Sequence, residues 1–392
     1  MAVNKKKTIL FANVGADMYG ADYVLLCLVR SLDSRAFRKI VIVPYDGPLV
    51  RELEAAGATV IIREFPVLRR SVFTPWGLCT FAWQMLTSLL FTDRLASREG
   101  VDIFHTNTAS LWPLGIVAAI QRKPHIWQVM ELVEKPRIVA AAMGKMVGLF
   151  STKVFCISDA VRLHFIRNNI DRERKFQTLY HGVDPEEYDP EKTTGSAIRS
   201  QLDIPSEAQV VLYAGRFSAW KGQDIFAQAI PEILANSKSA DVRFLILGSC
   251  FQGQEKYGRE LESLLESLNL PPGKVHLHGF QKNLPEWMHA SNIFVLPSKN
   301  PEPNATVLIG AMSMGLPCIG TNIGGTAETI LDQQTGILIP PNCPASLAKA
   351  VLTLIEHPDQ ARQMGASSRH RAKMTFSISQ YCRIVHETYD EM

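Results

Sequence analysis

The chain has 392 residues, a length that exceeds one ordinary α/β core and suits two. Hydrophobic residues make up 46% and charged residues 20%, the balance of a globular protein. Net charge is only +3 and no basic stripe runs along the sequence, which argues against nucleic acid as a partner.

The seven cysteines, at 27, 79, 156, 250, 318, 343 and 382, form no CxxC pair. Neither a zinc site nor a disulfide framework is expected, and reduced thiols in a cytoplasmic protein fit the pattern. The basic spots are short: Lys5 to Lys7, Arg69-Arg70 and Arg122-Lys123. Each reads either as a solvated face or as attraction to an anionic membrane surface.

In chain order, the apolar run after Lys7 is too short for a signal peptide and predicts a first strand, 8–14. A helix-length segment at 20–32, a strand at 39–43, a helix at 49–56 and a strand at 59–62 follow. From Ser71 to Thr92 no residue is charged, and Phe73, Trp76, Leu78, Phe81, Trp83, Leu86 and Leu90 crowd the stretch. Its length matches a membrane span of about 20 residues. Pro75, Gly77, Gln84 and several hydroxyl residues speak against spanning, and a span here would strand the first half of a domain on the wrong side. Two readings stay open: a purely buried helix, or one partly in the core with an interfacial contact, Arg69-Arg70 at its edge.

Further strands are predicted at 102–105, 125–129 and 153–157, with a helix at 111–120. After the polar, proline-rich stretch Asp184 to Pro205 the pattern restarts. Strands at 210–214, 242–247, 275–277, 293–296, 317–320 and 336–339 alternate with helices at 224–234, 255–268, 306–314 and 345–356. Such alternation predicts two doubly wound parallel sheets, helices on both faces, and a boundary near 182–205. The tail from Pro358 to Met392 reads as helical and polar. In doubly wound sheets ligands bind beyond the carboxyl ends of the strands, so the loops after strands are where chemistry is sought.

Four such loops stand out. In Tyr213-Ala-Gly215-Arg216-Phe-Ser-Ala-Trp-Lys221-Gly222 a strand ends, glycine allows a sharp turn, and two cations follow. Arg supplies a fork and Lys a point charge, a combination suited to a diphosphate. The plain alternative is two solvated cations. In Pro297-Ser298-Lys-Asn-Pro-Glu302-Pro303-Asn304-Ala305-Thr306-Val307-Leu308-Ile309-Gly310 a proline-rich loop carries one carboxylate into a helix start, whose free N–H groups suit anions. Glu302 accepts from sugar hydroxyls or merely complements the helix terminus. Asn322-Ile-Gly324-Gly325-Thr326-Ala-Glu328 holds a double glycine that permits close approach to a ligand or makes an ordinary turn. The loop from Asn13 through Gly15, Tyr19 and Gly20 to Asp22 follows the first strand and lacks the GxGxxG spacing, which argues against NAD.

Together these segments resemble glycosyltransferase family 4, retaining enzymes of the GT-B fold. The likeness is strongest over 213–339. The N-terminal half is similar through Asp102-Ile-Phe-His105-Thr-Asn-Thr and Ile126-Trp-Gln-Val-Met130-Glu131, and resembles bacterial members that build exopolysaccharide. The resemblance implies two Rossmann-like domains facing across a cleft: an acceptor domain, 1–183, a nucleotide-sugar domain, 184–372, and a last helix, 373–392, packing back toward the first. It implies a catalytic set of Glu302, Arg216 and Lys221. Gly215, Arg216, Lys221, Asn304, Ala305, Thr306, Val307 and Gly310 would bind the donor. Gly15, Tyr19, Gly20, His105, Met130 and Glu131 would serve the acceptor side. It further implies transfer of a hexose from a UDP- or GDP-sugar to a glycan or lipid-linked acceptor in polysaccharide biosynthesis. No metal and no other cofactor would take part. The protein would be cytoplasmic, with a peripheral contact on the inner membrane face.

Three departures matter. The family's second glutamate, which binds the nucleotide ribose, falls on Gly310, a loss of roughly 1.5–3 kcal/mol. The family's histidine near the donor sugar falls on Met130, and Asn304-Ala305 stand where an aromatic and a glycine are commoner. A phosphate-using enzyme on the same fold and a non-catalytic relative therefore remain as alternatives.

Overall fold

The computed structural model of the chain describes residues 6–18, 20–68, 72, 74–133, 136–238, 241–250 and 253–392. It divides into two compact units: the chain up to His181 with Ile378–Met392, and Gly182–Ser377.

In the first unit seven strands are described: β1 (Lys7–Ala12), β2 (Phe37–Val43), β3 (Thr59–Ile62), β4 (Ile103–Thr106), β5 (His125–Val129), β6 (Lys153–Cys156) and β7 (Phe176–Thr178). All pair in parallel in the order β3-β2-β1-β4-β5-β6-β7. The crossovers carry α1 (Gly20–Ser31), α2 (Pro48–Ala55), α3 (Pro75–Glu99), α4 (Pro113–Ile120), α5 (Arg137–Phe150) and α6 (Asp159–Ile166). The central strands are apolar on both faces because helices cover both, as a parallel sheet requires. Lys39 looks misplaced on buried β2. Its ammonium donates to the carbonyls of Val29, Leu32 and Ala56, the open ends of α1 and α2, at 3.1, 3.3 and 2.7 Å.

Helix α3 accounts for the uncharged stretch. Thr74 caps it, its Oγ1 accepting from the Gly77 N–H at 3.0 Å, Pro75 starts it, and Gly100 ends it in the left-handed region. Its buried residues are Ser88, Thr92, Leu95 and Ala96, all in the second half. Among the described residues no helix is long and apolar enough to cross a membrane. Arg69, Arg70, Ser71 and Phe73 lie outside the described residues.

The second unit opens with α7 (Ser196–Gln201), then β8 (Gln209–Ala214), α8 (Gln223–Asn236), β9 (Val242–Leu247), α9 (Lys256–Ser267), β10 (Val275–His278), α10 (Leu284–His289) and β11 (Ile293–Leu296). It continues with α11 (Thr306–Ser313), β12 (Cys318–Thr321), α12 (Thr326–Thr329), β13 (Gly336–Ile339), α13 (Pro344–Glu356) and α14 (Pro358–Thr375). The sheet is parallel in the order β10-β9-β8-β11-β12-β13. Its core joins Val211, Phe226, Phe244 and Val295 to Leu347 and Val351.

The last helix, α15 (Ile378–Glu391), belongs to the first unit. It buries Tyr381, Val385 and Tyr389 among Phe11, Val24, Phe37 and Val41. Tyr389 Oη lies 2.6 Å from His105 Nδ1, and Tyr381 Oη donates to Gln128 Oε1 at 3.3 Å.

Candidate functional site

Each sheet has a point where consecutive connections leave in opposite directions, and there the loops open a crevice. In the second unit it lies between β8 and β11. The loop after β8 is 215–222 and the loop after β11 is 297–305. The sequence-predicted Lys221 and Glu302 therefore come together: Lys221 Nζ stands 2.7 Å from Glu302 Oε2. Ser298 Oγ donates to the other oxygen, Oε1, at 2.9 Å. The Glu302 side chain is 9% exposed and that of Lys221 20%, so the pair is largely shielded yet reachable.

The surrounding backbone is tightly fixed. Tyr213, wholly buried at the end of β8, donates through Oη to the Lys221 carbonyl at 3.4 Å. Burial, then the charges of Glu302 and Asp224, push its phenol well above the ordinary tyrosine range. Gly222 takes φ +75°, and a β-carbon there would stand 1.9 Å from the Pro297 carbonyl oxygen, so the two loops meet only through glycine. Lys299 N–H donates to the Trp220 carbonyl at 2.6 Å, and Lys299 Nζ pairs with Asp224 at 2.7 Å.

The double glycine serves this same architecture. The Gly325 N–H donates to the Glu302 carbonyl at 2.6 Å, and β-carbons at Gly324 and Gly325 would strike the Glu302 and Pro303 carbonyl oxygens at 2.6 and 2.0 Å. The close approach expected toward a ligand is an approach to the protein's own Glu302 loop.

Arg216 and Gly215 lie half-buried in the loop after β8, and Asn304 sits half-buried two residues beyond Glu302. Ala305 caps α11 without a side-chain bond. The N–H groups of Thr306 and Val307, in its first turn, have no intrahelical acceptor. Gly310 points away from open space: it is buried, and a β-carbon there would meet the Tyr188 ring at 2.6 Å.

In the first unit the switch point lies between β1 and β4. Asn13 donates to Asp22 Oδ1 at 2.6 Å and to the Gly15 carbonyl at 3.0 Å, and accepts from Asn107 at 3.0 Å. Gly15 and Gly20 are half-buried in this loop, and Tyr19 lies outside the described residues. Glu131, after β5, accepts from Thr108 Oγ1, and from the N–H groups of Ala109 and Met130 at 3.1 and 3.0 Å. Burial pushes its carboxyl up and these donors oppose the shift. Met130 is half-buried beside it. His105 stands apart, wholly buried between Phe11 and Tyr389 in the core.

Ser298, Asn107 and the Tyr213 hydroxyl were not among the predicted site residues. Ser298 carries a local signal, a hydroxyl four residues before the carboxylate across a proline loop; the other two depend on tertiary pairing.

A cation and carboxylate at the switch point of a doubly wound sheet, beside an open helix start, form a site for an anionic, hydroxyl-bearing ligand. Comparison with known proteins agrees. Residues 18–187 match the family described as Glycosyltransferase Family 4, and residues 208–357 the one described as Glycosyl transferases group 1. A spore coat protein SA of Bacillus subtilis is 28% identical over 261 residues, 64% of this chain and 68% of that protein. A D-inositol 3-phosphate glycosyltransferase of Xylanimonas cellulosilytica is 24% identical over 314 residues, 75% of this chain and 72% of that one. Among solved structures, Anabaena HepE in complex with UDP and glucose superposes with a TM-score of 0.81 at 23% identity, covering 98% of this chain and 99% of that one. A Rickettsia africae glycosyltransferase gives 0.81 at 23%, covering 99% and 98%. Fold and site define a glycosyltransferase enzyme of the GT-B class. Within that class, the chain belongs to glycosyltransferase family 4.

Proposed function

We propose that this chain is a retaining hexosyltransferase that uses a nucleoside diphosphate sugar and acts on a glycan or a lipid-linked acceptor. The observation that carries this reading is the Lys221–Glu302 pair, 2.7 Å apart at the switch point of the second sheet. Arg216, Lys221 and the N–H groups of Thr306 and Val307 face the donor diphosphate, and Glu302 holds the sugar. The sugar C1–O bond to phosphate breaks while the acceptor oxygen bonds to C1 on the same face. The acceptor proton passes to the leaving phosphate oxygen. The fixed positive groups stabilise the charge that grows on that phosphate, so the reaction needs no metal. The Anabaena relative's complexes with UDP and with UDP-glucose support a uridine donor. The uncharged half of α3 supports a peripheral membrane contact.

The covered position at Gly310 favours one alternative, a phosphate-using reaction in which no ribose contact is needed. A thermal-shift panel of UDP, GDP, ADP, their sugar conjugates and inorganic phosphate separates the two. Stabilisation by one nucleotide, lost in Arg216→Ala, is expected. Stabilisation by phosphate alone overturns the nucleotide-sugar reading.

A further inference from the structure

Helix α3 inverts the ordinary surface pattern. Trp76 is 84% exposed and Trp83 67%, with Leu78, Leu86 and Leu90 also exposed, while Ser88 and Thr92 are buried. Trp76, Trp83 and Leu90 recur at seven-residue spacing, which places them on one face of the helix, and Arg94 continues that face one turn further on. The apolar residues are not exposed by accident of a short helix: caps at Thr74 and Gly100 fix both ends.

Where this apolar face ends, a groove of about 450 Å³ opens, lined by Arg63, Leu90, Phe91, Arg94 and Arg98 with neighbouring Thr87 and Leu95. Three guanidinium groups line it and no carboxylate does. Arg63 stacks over the Phe91 ring, 4.1 Å from its centroid, which holds the guanidinium at the groove wall. Among the described residues Arg63 and Arg94 make no ion pair. Arg98 bonds Glu99 at 2.7 Å, but Arg38 shares the same carboxylate. Asp93, next to Arg94, accepts from Gln121 at 2.8 Å. The groove is thus positive at one end and continuous with tryptophans and leucines at the other.

Tryptophan favours the layer between lipid headgroups and acyl chains, and clustered cations favour anionic headgroups. We propose that α3 docks on an anionic lipid bilayer, with Trp76, Trp83 and Leu86 in the interfacial layer and a headgroup phosphate between Arg63, Arg94 and Arg98. This deepens the membrane contact of the proposed function and is independent of the donor site in the second unit.

The test is co-sedimentation of the full chain with vesicles of phosphatidylcholine alone and of phosphatidylcholine with phosphatidylglycerol. Trp76→Ala/Trp83→Ala and Arg63→Gln/Arg94→Gln/Arg98→Gln are compared with the parent, and thermal unfolding shows that each folds. The parent is expected to bind the phosphatidylglycerol vesicles at least about tenfold more tightly, and added salt to weaken that binding. Each variant should lose about tenfold of it. Equal binding to both vesicles by the parent and the arginine variant overturns the headgroup site while leaving a general membrane contact standing. Binding to neither vesicle, with self-association in sedimentation velocity abolished by the tryptophan variant, makes the face a contact between two copies and overturns both. Stabilisation by inorganic phosphate without vesicle binding overturns the docking and leaves only a free-anion site. Failure of the nucleotide panel alone touches none of these outcomes.

Discussion

The Tyr188 ring lies over the backbone of α11 at Gly310: a β-carbon built there would stand 2.6 Å from Tyr188 Cε1 and 3.4 Å from Met288 Cε. The position to which the family resemblance assigned a ribose-binding glutamate is therefore covered by this chain's own aromatic ring. Helix propensity alone would make Gly310→Ala stabilising by about 1 kcal/mol. Overpacking against a ring at 2.6 Å costs ~1–3 kcal/mol and outweighs it. Gly310→Ala is expected to lower the urea midpoint and Gly310→Glu to lower it further without tightening nucleotide binding. Combining Gly310→Ala with Tyr188→Ala should give a smaller loss than the two single losses added. A Gly310→Glu protein as stable as the parent would show that the ring yields freely.

Lys221 has a structural partner, Glu302, as well as the ligand proposed for it. Replacing it with Met leaves the shielded Glu302 carboxylate with Ser298 as its remaining side-chain donor. Stability should fall by ~1–3 kcal/mol, discounted from a fully buried pair because Lys221 retains contact with water. Lys221→Met/Glu302→Gln should recover most of that stability and none of the nucleotide binding, read by calorimetric titration beside urea unfolding. Recovery of binding in the double variant would mean that the lysine matters only for holding the loop.

The contact between Tyr389 and His105 anchors the last helix. Tyr389→Phe removes one buried hydrogen bond and leaves His105 Nδ1 without its partner, at a cost of ~1–3 kcal/mol. Tyr389→Ala adds a cavity in the first unit's core and should cost ~3–5 kcal/mol. Limited proteolysis should then release the segment from Ile378 onward faster than in the parent. Unchanged cleavage in Tyr389→Ala would place the anchor elsewhere.

The first unit should weaken in mild acid. Burial, with the neighbouring His125 charge second, lowers His105 to about 3; burial alone lowers His181 to about 3. Burial lowers His125 to about 4, opposed by the Phe150 carbonyl. An unfolded histidine titrates near about 6.5. Below that value the unfolded chain binds more protons than the folded one. The stabilisation from keeping these rings neutral is complete above about 6.5 and is lost as pH falls from there toward 3–4. The limiting slope is about 1.4 kcal/mol per pH unit for each histidine. Urea midpoints measured from about pH 7.5 to about pH 5.5 should fall steadily, and His181→Gln should remove about a third of the slope. A midpoint independent of pH over that range would sink this account.

The alternation of strands and helices was legible because buried parallel strands read as short apolar runs, such as Val210 to Ala214 and Ile293 to Leu296. Strand β7 escaped because Phe176–Thr178 is a three-residue edge with one buried side chain. The loops that carry Lys221 and Glu302 were legible from their residue types, two cations and a carboxylate set directly after strand ends. Their direct pairing was not, because spacing along the chain says nothing of which strands become neighbours. Gly324 and Gly325 misled for the same reason: the backbone they approach is Glu302-Pro303, which sequence places in a different loop. The burial of His105 depends on α15, whose arrival in the first unit's core only tertiary structure discloses.

Helix α15 also fixes an order of events during synthesis. The first unit needs Tyr381, Val385 and Tyr389 to close its core, yet the chain reaches them only after all of Gly182–Ser377. The second unit is continuous and can fold as soon as it leaves the ribosome, whereas the first must wait with Phe11, Val24 and Val41 uncovered. The earlier half of the chain therefore cannot complete its core until α15 has been made. A nascent chain stalled before Ile378 would display an apolar face that chaperones and proteases recognise.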